Sequence, residues 1–196
     1  MPEPAGRLTV AAKRSPHVAL VGMMGVGKTT VGRKVAAALN RSFVDGDHEL
    51  EGRTGRSVAD WFAVEGEAAF RDAEADVLAS LLERPAPSVV ATGGGVVGLE
   101  DNRLRLSADD TVVVWLSAPP DFLLHRAKQK PGRPLLAGDD PLGIITHLAE
   151  QREPWYRDIA DITIDVAPIY RQEAKPKRTL AELVLERLAP YGILVP

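Results

Sequence analysis

Lys28 and Thr29 close the stretch GMMGVGKTT, residues 22–30, in which Gly22, Gly27, Lys28 and Thr29 match G-x-x-x-x-G-K-[ST]. Glycines let backbone N–H groups converge on phosphate oxygens, and the N-terminus of a following helix adds a favourable dipole. In this pattern the lysine reaches the β- and γ-phosphates and the hydroxyl meets Mg2+. An apolar run precedes the stretch and a periodic helix follows it, which is the context the motif requires. The pattern implies a nucleoside triphosphate site. It does not say what receives the phosphoryl group.

Five other stretches carry residues that could do chemistry. FVDGDHEL places Asp45 and Asp47 at the end of a short apolar run. In an open parallel sheet, ligands bind at the carboxyl ends of the strands, and residues two apart on an extended chain share a face. One carboxylate can then hold a metal-bound water while the other meets a substrate hydroxyl; a polar turn leaving the strand is the plainer reading. GEAAFRDAE carries Arg71, PGRPLL carries Arg133 and EQREPWY carries Arg152. Taken singly, Arg71 and Arg152 read more readily as surface residues, and Arg133 reads as a loop charge as readily as a ligand. An arginine on a flexible cover suits the charge that develops on a transferring phosphoryl group. VVATGGGVV, residues 89–97, is a second glycine loop. It could be another phosphate cradle, a bare turn, or the floor of a site for something else.

The elements around these residues follow from periodicity. Apolar runs at 17–22, 42–45, 88–92, 111–118 and 161–166 read as five strands. Val31, Val35 and Leu39 mark one face of a helix after the first glycine loop. Phe70, Val77, Leu78 and Leu81 mark a long helix over 65–83. Ser57 with Asp60, and Thr179 with Glu182, have capping-box spacing. Pro119 and Pro120 open a further helix, and the helix running into EQREPWY is expected to end or kink at Pro154. Alternation of strand and helix implies α/β, with a parallel sheet covered on both faces. Residues 46–60 and 128–140 do not read as core, and the second stretch reads as a mobile loop. Residues 1–16 read as a disordered leader, 17–190 as one domain and 191–196 as a tail.

The chain has 196 residues, 45% of them apolar, 26% charged and none cysteine, with a formal net charge of −3. There is no thiolate metal site and no disulfide. No global basic field draws the chain to nucleic acid, and no window approaches the roughly 20 apolar residues of a membrane span. A cytoplasmic protein is the expectation. His17, His48, His125 and His147 lack metal-ligand spacing. Trp61 and Phe62 could wall a substrate ring or simply pack a helical cover.

Together GMMGVGKTTVGR, FVDGD, RTGRSVADWFAVEGEAAFRDAE, VVATGGGVV, RPLL and REPWYRDIAD, spread over about residues 17–166, resemble shikimate kinases. These are small P-loop phosphotransferases related to the nucleoside monophosphate kinases. The resemblance implies a three-layer α/β/α fold on a five-stranded parallel sheet in the order 2-3-1-4-5. It also implies a substrate cover over about 46–75 and a lid over about 128–140.

By the same resemblance, Gly25, Val26, Gly27, Lys28, Thr29 and Thr30 would cradle the ATP phosphates. Lys28 would sit at the transferred group, and Mg2+ would meet Thr29 directly and Asp45 through water. Asp47 would bind shikimate hydroxyls. Arg71 and Arg152 would grip its carboxylate, and Gly93, Gly94 and Gly95 would line its ring. Arg126 would lie over the adenine, and Arg133 would support the transferring phosphoryl group. The implied reaction phosphorylates the 3-hydroxyl of shikimate, with a monomer acting on shikimate and ATP, away from nucleic acid and membrane. The segment APIYRQEAKPKR, within 167–178, looks long for the family's loop near adenine. A gluconate-type or other small-metabolite kinase, and a nucleotide-binding relic that transfers nothing, are the other readings.

Overall fold

The computed structural model describes residues 15–127 and 139–196. Five parallel strands form one sheet among these residues: β1 (His17–Val21), β2 (Ser42–Asp45), β3 (Ser88–Ala91), β4 (Thr111–Ser117) and β5 (Ile162–Asp165). Their spatial order is β2-β3-β1-β4-β5. β1 lies at the centre, and Val21 pairs in register with Trp115 of β4 while Leu20 pairs with Ala91 of β3. β1 and β3 are buried on both faces, which is why they read as continuous apolar runs. β5 is an edge strand and alternates buried Ile162 and Ile164 with exposed Thr163 and Asp165.

The helices are α1 (Lys28–Ala38), α2 (Gly46–Thr54), α3 (Val58–Val64), α4 (Gly66–Leu82), α5 (Glu100–Leu106), α6 (Pro120–Ala127), α7 (Pro141–Ile159), α8 (Val166–Gln172) and α9 (Pro176–Leu188). α1 buries Val31, Val35 and Ala36 against the sheet. The main core is the sheet together with the inner faces of α1, α7 and α9. A smaller cluster of Leu50, Phe70, Val77, Leu81 and Val90 joins α2 and α4 to the β3 side of the sheet. Ser57 and Asp60 form the expected capping box at the start of α3.

Four expectations need correction. Of the two outcomes expected at Pro154, an end or a kink, the end does not occur: α7 runs through Pro154 to Ile159. The carbonyl that loses its partner there belongs to exposed Glu150, where water is available. Buried Arg152, Tyr156 and Ile159 hold the rest of the helix by one face. The Thr179–Glu182 capping box does not form, because Pro176 starts α9 one turn earlier and leaves Thr179 inside the helix. The stretch 46–60 is largely helix, and Leu50 is core. The stretch 167–178 is no loop: α8 and the first turn of α9 occupy most of it. The leader through residue 14 and most of the expected lid, 128–138, lie outside the described residues.

Candidate active site

The first glycine loop leaves β1 and turns into α1. Gly25 and Gly27 adopt φ of 82° and 112°, left-handed values that favour glycine. Lys28 folds back over the loop, its Nζ donating to the carbonyls of Gly22 at 2.6 Å and Met23 at 3.1 Å. Val26 is buried beneath, and Thr30 lies on the first turn of α1. Arg126, from α6, donates Nε–H to the Gly25 carbonyl at 2.9 Å. Its guanidinium lies 4.2 Å from the centre of the Tyr170 ring and 5.6 Å from that of Phe122. Arg126 is therefore fixed at the edge of the loop by one hydrogen bond and two aromatic faces.

β2 delivers the acidic pair, but by a turn rather than along a strand face. The strand stops at Asp45, which caps α2, and Asp47 sits in the helix's first turn. The expectation that both share one face of an extended chain is thereby corrected, since the backbone changes direction between them. Thr29 Oγ1 donates to Asp45 Oδ2 at 2.6 Å, which brings hydroxyl and carboxylate together beside the glycine loop. Burial, and then the neighbouring Asp45, push the Asp47 carboxyl above its ordinary range, while Lys28 pulls the other way.

α4 supplies Arg71 and, one turn on, Glu74. Arg71 Nη1 donates to Glu74 Oε2 at 2.7 Å, and Nη2 donates to Glu67 at 3.1 Å. Glu74 is only 7% exposed, and its Oε1 has no hydrogen-bond partner among the described residues. Burial raises its pKa, against the pull of Arg71. Glu74 was not expected in the site, although its i,i+3 spacing from Arg71 was a signal for it.

α7 supplies Arg152, which is 6% exposed and donates Nη1–H to the Gly94 carbonyl at 3.1 Å. It makes no ion pair with a carboxylate among the described residues. Burial lowers its pKa, Tyr156 opposes that, and nearby Arg71 adds to it.

The second glycine loop sits where these parts meet. A Cβ on Gly93 would collide with Glu74 Oε1 and lie 2.9 Å from Asp47 Oδ1. A Cβ on Gly95 would collide with the Arg71 guanidinium. A Cβ on Gly94 would lie 3.3 Å from the Met24 backbone nitrogen and 3.5 Å from the Gly22 carbonyl oxygen. Three glycines thus make room for three different neighbours: the carboxylates, the phosphate loop and the arginine. No following Lys-Thr makes the loop a second phosphate cradle.

Most of these residues line one cleft of about 660 Å3, which Lys28 and Thr29 of the phosphate loop share with Arg71, Glu74 and Arg152. Asp47 and Gly94 lie in its lining too. Phe62 also lines the cleft, with its ring 4.8 Å from that of Phe70, whereas Trp61 packs in the small cluster and donates Nε1–H to Thr54. His48 is exposed at the rim of the cleft lining, 3.7 Å from Glu51. Arg133 lies outside the described residues. No group of three or more acids and histidines among the described residues could hold a metal ion. The Thr29–Asp45 pair instead fits a hard cation that draws most of its ligands from phosphate and water.

The family model for shikimate kinase matches residues 24–188. The chain belongs to the shikimate kinase family. It is 47% identical over 184 residues to a shikimate kinase of Burkholderia lata, covering 92% of this chain and 95% of that one. It is 44% identical over 179 residues to that of Bordetella avium, covering 90% and 82%. The structure of the Acinetobacter baumannii shikimate kinase in complex with shikimate superposes with a TM-score of 0.82 at 38% identity, covering 90% of this chain and 94% of that one. The strand order expected from the family resemblance is the one observed. No helix among the described residues is long and apolar enough to cross a membrane.

Proposed function

We propose that this chain transfers the γ-phosphoryl group of ATP to the 3-hydroxyl of shikimate, forming shikimate 3-phosphate and ADP. The observation that carries the reading is Arg152, a buried guanidinium that bonds the Gly94 carbonyl and meets the Tyr156 phenol but forms no ion pair with a carboxylate among the described residues. A buried cation without a carboxylate calls for an anion in the adjoining cleft. Arg71 lines the same cleft, and so do Gly25, Gly27, Lys28 and Thr29 of the phosphate loop. A small hydroxylated carboxylate spans that cleft with its anionic end on the arginines and a hydroxyl toward the phosphates.

In this reading Gly25 to Thr30 cradle the ATP phosphates, Lys28 meets the transferred group, and Arg126 carries the adenine. Thr29, and Asp45 through water, would hold Mg2+. When bound, Mg2+ neutralises phosphate charge. Asp47 orients the acceptor hydroxyl and takes its proton as the new O–P bond forms and the bond to the ADP oxygen breaks. Its raised pKa suits it to that task. Arg152 and Arg71 hold the substrate carboxylate, with Glu74 keeping the Arg71 guanidinium in place. Gly93 and Gly95 leave room for these groups beside the substrate ring. Arg133 is assigned to the transferring phosphoryl group by its RPLL motif alone. The same reading places the reaction in chorismate and aromatic amino-acid biosynthesis, in the cytoplasm, by a monomer.

The test is coupled ADP release with shikimate, quinate and gluconate offered separately. Shikimate is expected to turn over fastest. Turnover of gluconate without shikimate would overturn the assignment, and binding of ATP with no turnover of any of the three would make the chain a relic.

A further inference from the structure

The Gly94 carbonyl accepts two hydrogen bonds, and only one comes from a residue of the cleft. The other comes from Tyr156 Oη at 2.5 Å, one turn after Arg152 on α7. Tyr156 is 1% exposed and is not among the residues that line the cleft. Burial pushes its phenol far above the usual range, so the hydroxyl stays protonated and donates. Its ring stacks on Trp115 of β4 with centroids 5.7 Å apart and planes 19° apart. Trp115 pairs in register with Val21, the residue before the phosphate loop.

Gly94 is thus held from both sides. One side packs on the phosphate-loop backbone at Met24 and Gly22, and the carbonyl is fixed to α7. The ends of the glycine loop have their own anchors. Thr92 bonds the Leu20 carbonyl through both N–H and Oγ1, and Asn102 Nδ2 donates to Val96 O at 3.0 Å. Only the middle depends on Tyr156 and Arg152.

We propose that Tyr156 is a positioning residue for the phosphoryl transfer. Its hydroxyl fixes the Gly94 carbonyl and, through that shared acceptor, the Arg152 guanidinium, and so sets the distance from the carboxylate-binding end of the cleft to the phosphate loop. The inference rests on the shikimate reading given above. Without the hydroxyl, Arg152 is the sole donor to Gly94, and its guanidinium is free to follow that carbonyl rather than face the substrate. Misplacement of a reacting group by about 1 Å costs on the order of a hundredfold in rate.

The test is Tyr156→Phe, which keeps the ring stack and the loop-end anchors. Steady-state kinetics are read beside ADP affinity by calorimetry. Shikimate kcat/KM is expected to fall about ten- to hundredfold. ADP affinity is expected to stay within about threefold, near the low end of the effect of a single lost neutral hydrogen bond. A merely structural tyrosine would weaken both ligands together or neither. Shikimate kcat/KM at the wild-type level, or parallel loss of both ligands, overturns the proposal. If Tyr156→Phe does not fold, Trp115→Leu is judged by the same split, since it loosens the ring and leaves the hydroxyl; its failure to fold counts as parallel loss. Wild-type turnover in the same assay tests the substrate reading separately. A wild type inactive on shikimate sinks that reading, whereas a variant equal to an active wild type sinks only the role of Tyr156.

Discussion

The Arg71 guanidinium fills the space where a side chain on Gly95 would stand. Gly95 cannot gain a side chain unless Arg71 moves. Gly95→Ala must push Arg71 out of its pairing with Glu74 and Glu67. Gly94→Ala instead presses on the backbone of the phosphate loop at Met24. The two alanines are therefore expected to part: Gly95→Ala raises shikimate KM with ATP KM nearly unchanged, and Gly94→Ala raises ATP KM as well. Displacing a charged hydrogen bond costs about 1.5–3 kcal/mol, or on the order of ten- to hundredfold in KM. Identical kinetic profiles for the two variants would show that the loop is one undifferentiated turn.

Arg152 is buried without a carboxylate partner among the described residues, so it stabilises the bound state more than the free protein. Arg152→Met is expected to weaken shikimate binding by about 2–5 kcal/mol, on the order of thirty- to several-thousandfold. The same substitution is expected to leave the melting temperature unchanged or higher, because it removes an uncompensated buried charge. Calorimetric titration and thermal melts check the two halves. A large loss of stability with normal shikimate affinity would mean that Arg152 serves the fold.

The parts of this molecule that repeat locally were legible in the sequence. Strand runs such as VALV and TVVVW show two-sided burial directly, and the glycine-lysine spacing specifies a phosphate loop wherever a strand precedes and a helix follows. Pro154 misled because a lost N–H is costly only where its carbonyl cannot find water, and that depends on tertiary exposure. Thr179 misled because the earlier Pro176 is as good a helix start. Glu74 gave only its i,i+3 spacing from Arg71, and Tyr156 gave no local sign of its role. Glu74 matters because it stands over Gly93, and Tyr156 because it reaches Gly94 from a helix 62 residues further along the chain. Three glycines in a row announced a close approach without naming what approaches.

Thr29 and Asp45 are joined by a 2.6 Å hydrogen bond between the phosphate loop and the end of β2. Thr29→Val keeps the shape and removes the hydroxyl. Turnover should then require more Mg2+, with the half-saturating concentration raised at least about ten- to hundredfold, since losing a ligand costs no less than losing the partner that orients one. Thr29→Ser should behave as the wild type, since the same hydroxyl remains. Titration of activity against Mg2+ at fixed ATP checks the pair. An unchanged Mg2+ requirement in Thr29→Val would remove this residue from the metal site.

Ionising Asp47 costs the fold, because burial and then Asp45 disfavour its charged form. Its carboxyl is raised above the ordinary 3.8 by burial first and by Asp45 second. The sign of the pH effect follows. Below 3.8 the group is protonated whether the chain is folded or not, and it costs nothing. As pH rises through the folded-state pKa the protein must ionise a carboxyl that its surroundings disfavour, and stability falls. Asp47→Asn carries no such penalty and also relieves the repulsion from Asp45. The variant is therefore expected to melt higher than the wild type at neutral pH, by about 2–4 °C for each 1 kcal/mol relieved in a chain of this size. The gap should close as pH is lowered toward the ordinary carboxyl range. Turnover should fall at the same time, by about a hundredfold or more if Asp47 takes the acceptor proton. Paired melts and rate profiles across pH decide the matter. A variant that melts lower than the wild type at neutral pH would show that Asp47 stabilises the fold through contacts other than its charge, and the trade between stability and catalysis argued for this carboxylate would not exist.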